Sequence, residues 1–205
     1  MKTPLLALAF LLGIVAPGLF AADSGIAPEL KSNLVALSGK HLKRFDASTL
    51  ANTKYFAFYY SASWCGPCRQ FTPKLVAWYN AHKKDNPHFE LIFVSDDSSE
   101  QDMTAYMADD GMPWPALDLR KKERAKALTK YAGPGIPCLV LVNDQGQVLS
   151  DSYQGQTYLG PGKVLEDIEK TLAQNPPSEE AKAAAAKPAA AKSGSESFDE
   201  FFKKK

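Results

Sequence analysis

Three stretches of the chain are apolar almost without interruption: Tyr55 to Tyr60, Phe89 to Ser95 and Cys138 to Val142. A strand with one wet face alternates apolar and polar residues. These do not, and so they predict strands of a sheet covered on both faces. The first sits within a central strand, Lys54 to Ser61. Elsewhere the apolar positions recur at helical spacing. Phe71, Leu75, Trp78, Tyr79 and His82 predict a long helix, which Pro73 should kink and Asn86-Pro87 should stop. Met103, Tyr106 and Met107 predict a second helix. Val164, Leu165, Ile168 and Leu172 predict a final one over Gly162 to Ala173.

Shorter signals fill the gaps. Leu34 to Leu37 reads as a short strand or lead-in turn, Leu42 to Phe45 as an edge strand, and Asp46 to Leu50 as a helical turn. Asp96-Asp97 invites an acid/base reading. The stronger expectation is helix capping, with Ser98 and Gln101 as a capping box. Gly111 to Leu117 reads as an extended connector, and Lys121 to Tyr131 as a charged surface helix ended by Gly133-Pro134-Gly135. Asn143 to Gly146 turns the Cys138 strand back into Gln147 to Ser150. Strands interleaved with helices in this way predict an α/β fold with a central mixed β-sheet and helices on both faces.

The two ends differ from the middle. Met1-Lys2, an apolar Leu5 to Ala16 and the small residues Ala21-Ala22 resemble a signal peptide, expected over residues 1–21. An uncleaved anchor is the other reading, although Gly13, Pro17 and Gly18 interrupt the apolar run. A lead-in over 22–33 precedes a domain over 34–174. Residues 175–205 are rich in Ala and Lys and are expected to be disordered, with too little apolar surface to offset the entropy of ordering. The terminal Phe198 to Lys205 reads either as a solubilising end or as a docking peptide or membrane-surface contact.

Composition narrows the chemistry. A formal net charge of +1 on 205 residues leaves no electrostatic footprint for nucleic acid. Cys65, Cys68 and Cys138 are an odd number, unlike a disulfide-stapled scaffold. Zinc needs about four ligands, and His41, His82 and His88 show no ligand spacing with the cysteines, so no metal is expected. No cofactor is implied either. The exception is the pair in Trp64-Cys65-Gly66-Pro67-Cys68. A C-x-x-C between a strand and a helix puts the first sulfur at a helix N-terminus, where free N–H groups and the helix dipole stabilise a thiolate. An exported chain would carry such a dithiol where disulfides persist.

Trp64-Cys65-Gly66-Pro67-Cys68, Pro73 and Gly135-Ile136-Pro137 ahead of a strand and hairpin resemble the thioredoxin fold. Ser61 to Cys65, Arg69 to Leu75, Phe93 to Asp97 and Met112-Pro113-Trp114 are similar to its tryparedoxin/nucleoredoxin-like branch. The resemblance covers roughly residues 34–172. It implies a thiol-disulfide oxidoreductase in which Cys65 is the nucleophile and Cys68 the resolving thiol. It further implies that Ile136-Pro137 is a cis bond facing them, and that Trp64 and Ile136 flank the docking groove beside Gly66 and Pro67. Its partners would be disulfide-bearing protein substrates and a thiol electron donor, such as one embedded in the membrane, in an exported, periplasmic setting.

Two positions depart from the pattern. The branch typically has Pro-Pro between its cysteines, where this chain has Gly66-Pro67. Thioredoxins usually carry a buried Asp six residues before the first cysteine; here that residue is Tyr59, which leaves the proton acceptor for Cys68 unassigned. Cys138, directly after Pro137, reads as a small buried hydrophobe rather than a redox thiol. Gly-Pro between the cysteines suggests a reducing potential, about −270 mV. A disulfide oxidase or isomerase, and a redox-inactive binding module of the same fold, remain alternatives. A thiol peroxidase would need an isolated, activated cysteine that the sequence does not display.

Overall fold

The computed structural model describes residues 26–186. The predicted signal peptide and the terminal Phe198 to Lys205 lie outside the described residues. The chain opens with α1 (Ala27–Asn33), β1 (Leu34–Ser38), β2 (His41–Arg44) and a 3-10 turn at Ala47–Leu50. Its middle is β3 (Tyr55–Ser61), α2 (Gly66–His82), β4 (Phe89–Ser95), α3 (Glu100–Asp109) and β5 (Ala116–Leu117). A second 3-10 turn at Leu119–Lys121 leads to α4 (Lys126–Thr129), β6 (Cys138–Asn143) and β7 (Val148–Asp151). A small hairpin, β8 (Tyr153–Gln154) and β9 (Thr157–Tyr158), then precedes α5 (Pro161–Gln174) and α6 (Glu179–Ala186).

Seven strands form one mixed sheet in the order β2-β1-β5-β4-β3-β6-β7. β3 lies at its heart, parallel to β4 and antiparallel to β6. The parallel register pairs Ser61 with Ser95, so the two strands end level and the loops that follow run side by side. Strand geometry sends alternate side chains to opposite faces. Ala57 and Tyr59 therefore join the cluster covered by α2, α3 and α5. Phe56, Phe58 and Tyr60 join the one covered by α1, the first 3-10 turn and α4. This is the expected mixed α/β sheet with helices on both faces.

Several local expectations are corrected. The lead-in contains α1, whose Pro28 occupies a first-turn site where a missing N–H costs nothing. Lys121 to Tyr131 is not one helix. Asp118 caps a 3-10 turn, and only Lys126–Thr129 is α-helical, with no side-chain cap at Ala125. Among Lys121, Lys122, Arg124, Lys126 and Lys130 the like charges work against a longer helix, and the Lys122 ammonium is held instead by the Ser95 carbonyl and the Asp96 carboxylate. The cap of α3 is Ser99, which accepts from the Asp102 N–H at 3.0 Å, rather than Ser98. Part of the connector forms β5. The supposedly disordered tail begins with α6, capped by the Ser178 hydroxyl accepting from Ala181 N–H at 3.2 Å and led by Glu179 and Glu180.

Gly133 shows how the turn before β6 is fixed. A Cβ there would lie 2.5 Å from the Tyr153 ring and 3.2 Å from the Cys138 sulfur, so only glycine lets this backbone pack down.

Candidate active site

Where β3 ends, Ala62 to Trp64 carry the chain outward and Cys65 becomes the N-cap of α2. Pro67 lies in the first turn, a position that suits proline. The Cys68 N–H donates to Cys65 Sγ at 3.2 Å. Cys65 and Cys68 are joined as a disulfide with their Cα atoms 5.2 Å apart. Cys65 retains 6% exposure, Cys68 has none, and neighbouring Trp64 is 66% exposed. An incoming molecule therefore meets Trp64 and the edge of Cys65 first. In the reduced state the helix N-terminus favours negative charge on Cys65.

Ile136-Pro137 is a cis peptide bond, as the resemblance implies. The Ile136 carbonyl lies 3.8 Å from Cys65 Sγ, making it the opposite wall of the site. The Tyr158 hydroxyl donates to the Pro137 carbonyl at 2.8 Å. The Ser152 hydroxyl accepts from Leu139 N–H at 2.8 Å, tying down the start of β6. Trp64, Cys65, Gly66, Pro67, Cys68, Ile136 and Pro137 thus converge at one end of the sheet. Cys138 does not join them. Its side chain is fully buried in the cluster on the α1/α4 face, and that burial pushes its thiol up to about 11.

Tyr59, where a buried carboxylate was missing, heads a network of hydroxyls beneath Cys68. Thr72 Oγ1 donates to the Cys68 carbonyl at 3.0 Å. That leaves Thr72 free to accept from Tyr59 at 2.8 Å and from Tyr106 at 2.6 Å. Tyr106 in turn accepts from Ser61 at 2.9 Å. All four hydroxyls are satisfied when their donors point toward Cys68. Burial holds the Tyr59 hydroxyl far above its usual range, so it stays a neutral donor. Arg69 lies 5.4 Å over the Tyr106 ring and 3.8 Å from Asp110. Burial raises the Asp110 carboxyl, although Arg69 acts against it.

Asp97 neither caps a helix nor pairs with Asp96. It is a buried carboxylate facing the loop before Cys65: one oxygen accepts from Ser63 N–H at 2.8 Å and from Ser63 Oγ at 2.7 Å. The other accepts from Ser95 Oγ at 2.8 Å. Sequence reasoning missed these roles of Asp97, and those of Thr72, Tyr106 and Tyr158. The contacts that join Asp97 to Ser63, Thr72 to Tyr106 and Tyr158 to Pro137 span 21 to 34 residues and leave no local spacing to read. Among the described residues no three His, Cys, Asp or Glu side chains converge to hold a metal.

A thioredoxin-like family model matches residues 52–148. The tryparedoxin of Trypanosoma brucei brucei is 35% identical over 148 residues, which are 70% of this chain and 92% of that protein. Nucleoredoxin from Danio rerio is 38% identical over 137 residues, covering 62% of this chain and 32% of its own length. The chain spans a third or less of the first nucleoredoxins it matches. Among solved structures, tryparedoxin I from Leishmania major aligns with a TM-score of 0.52 and 33% identity over 74% of this chain and 96% of its own. Tryparedoxin II from C. fasciculata gives 0.53 and 31% over 76% and 98%. With its mixed seven-stranded sheet, its Cys65–Cys68 pair and these relatives, the chain belongs to the thioredoxin superfamily, in the tryparedoxin- and nucleoredoxin-like branch.

Proposed function

We propose that the protein is a thiol-disulfide oxidoreductase that reduces protein disulfides through Cys65 and Cys68 in an exported compartment. The observation that carries this reading is the position of Cys65. It caps α2, shows one edge beside exposed Trp64, faces the Ile136 carbonyl, and is already bonded to the buried Cys68.

In the reduced protein the Cys65 thiolate attacks one sulfur of a substrate disulfide. A mixed disulfide forms and the first substrate thiolate leaves, taking a proton from solvent. Cys68, after losing its proton, attacks Cys65 Sγ. This releases the second substrate thiolate and leaves Cys65–Cys68 oxidised, so two electrons have passed to the substrate. A thiol donor, in an exported setting one embedded in the membrane, returns the pair to the dithiol. The signal-like leader supports that setting.

Insulin reduction with dithiothreitol as donor tests the activity, and Cys68→Ser tests the roles. The variant should trap substrates as mixed disulfides at Cys65. Failure of the wild type to speed insulin reduction would turn the reading to a binding module. A potential above about −150 mV would turn it to an oxidase or isomerase.

A further inference from the structure

Resting on that functional reading, we infer that Asp97 is a positioning residue for disulfide exchange: its buried carboxylate fixes the segment Ala62–Trp64, and through it the presentation of Trp64 and Cys65 to a protein substrate. β3 and β4 end in register at Ser61 and Ser95. The Asp96 N–H donates to the Ser61 carbonyl at 2.9 Å, extending the parallel pairing one step beyond the strands. From there the backbones diverge, and Asp97 spans them. It is 6% exposed and takes both Ser63 donors on one oxygen and the Ser95 hydroxyl on the other. The Asp97 N–H donates to Ser95 Oγ at 3.0 Å, which locks the carboxylate's own rotamer.

No ion pair involves Asp97 among the described residues. A buried carboxylate held only by hydrogen bonds is costly unless each of its donors is in place, so its presence makes this loop geometry the one low-energy arrangement. Ser63 is the residue before Trp64 and two before Cys65. Half-buried Ser63 has no other side-chain hydrogen-bond partner among the described residues. Without Asp97, the turn would keep the Cys65 N–H bond to the Ala62 carbonyl at 3.2 Å and the Cys65–Cys68 link at its far end, but Ser63 itself would lose both of its side-chain anchors. Reaction at sulfur needs aligned approach, and a displacement of about 1 Å can cost on the order of 10²-fold. The neighbouring Asp96 does a different job, anchoring Lys122 from the second 3-10 turn.

The test compares Asp97→Ala, Asp97→Asn and Ser63→Ala in insulin reduction, with near-UV circular dichroism to score folding. Asp97→Ala should lower kcat/KM about tenfold or more. Asp97→Asn keeps the oxygen that receives both Ser63 donors and can turn its amide to Ser95, so it should recover to within about threefold of the wild type. Ser63→Ala, which leaves its N–H in place, should fall between them. Folded Asp97→Ala and Ser63→Ala proteins both reducing insulin at the wild-type rate would overturn the inference. If Asp97→Ala does not fold, Ser63→Ala and Asp97→Asn decide it on the same scale. If the wild type itself reduces nothing, the functional reading fails. The anchoring is then scored by hydrogen exchange of the Ser63 amide, protected in the wild type and released in Asp97→Ala; equal exchange in the two would sink it.

Discussion

The two faces of the sheet's central strands are both covered, yet they are built differently. On one, α2, α3 and α5 are long amphipathic helices, and the cluster they cover sits over buried hydroxyls that converge on the Cys68 carbonyl. On the other, α1, α4 and the first 3-10 turn are short pieces over a core of Phe56, Phe58, Val140 and Cys138. Its few polar atoms serve single backbone groups: the Tyr60 hydroxyl donates to the Leu128 carbonyl and Tyr131 to the Gly146 carbonyl. Two buried cysteine sulfurs make the contrast chemical: Cys138 on the α1/α4 face, and Cys68 in a small cluster with Ala62 and Cys65 where α2 begins. Cys68 is placed by a helix start and bonded to a partner at the surface. Cys138 has neither, and its burial outweighs the hydrogen bonds from Gly133 and Ser152 that favour its charged form. Burial alone therefore does not distinguish a redox sulfur from a structural one; attachment to a helix N-terminus and to an exposed neighbour does.

The sharpest way to break that contrast is to remove sulfurs one at a time. Under the proposed mechanism Cys65→Ser removes the nucleophile and should lower insulin reduction by on the order of 10³-fold or more. Cys138→Ala should leave the rate per folded molecule unchanged. An equal loss in both would mean that Cys138 takes part in exchange.

A second test reads stability instead of rate. Phe58 is fully buried and stacked on Tyr131 at 5.3 Å on the α1/α4 face. Phe58→Ala should cost about 3–5 kcal/mol in urea unfolding, while the exchange rate of the remaining folded protein stays near that of the wild type. A rate that falls with stability would tie the scaffold face to the chemistry.

The same division explains how much could be read in advance. The strands β3, β4 and β6 announce themselves because a sheet covered on both faces must be apolar throughout, and α2 and α5 because each buries a regular stripe. The α1/α4 face was read poorly. α1 is only seven residues long, α4 four, and β8 and β9 two each, too short for any period to show. At the site, Cys65 and Cys68 are legible as a local motif with its own chemistry, and Ile136-Pro137 is legible through the resemblance to the thioredoxin fold. Asp97 lies just ahead of the Ser98–Gln101 capping box and so reads as an acidic residue at a helix start. Its true partner, Ser63, is 34 residues away and is brought beside it only by the β3/β4 register. Tyr59 was legible as a missing carboxylate, but the hydroxyls of Thr72 and Tyr106 that surround it were not.

Those hydroxyls supply a smaller test. Thr72→Val keeps the shape but deletes the junction that accepts from Tyr59 and Tyr106 and donates to Cys68. Two buried hydroxyls and one carbonyl lose a partner, which should cost about 1–3 kcal/mol. The redox potential of Cys65/Cys68 should shift as well, because the Cys68 backbone is no longer polarised. Stability lost with an unmoved potential would make the network purely structural.

The smallest expected effect is a pH dependence that belongs to the scaffold face alone. Burial raises the Cys138 thiol from its ordinary 9.0 to about 11. Above pH 9 the unfolded chain releases this proton while the folded protein keeps it. The native state then binds more protons than the unfolded one, and stability must fall as pH rises. The contribution is intact below about pH 8 and is lost progressively until about pH 11. Between about pH 8 and 10 the wild type should therefore lose about 1 kcal/mol more than Cys138→Ala in urea unfolding. The buried Tyr59 and Tyr79 hydroxyls are raised in the same direction and are present in both proteins, and Tyr60, raised chiefly by its own burial and only secondarily by Cys138, stays neutral over this range in both. Keeping the Cys65–Cys68 disulfide oxidised throughout removes its thiols from the comparison, so the remaining slope isolates the one sulfur that the fold keeps neutral. Parallel curves for the two proteins would place Cys138 in contact with solvent, and would erase the distinction between the two faces at its chemical point.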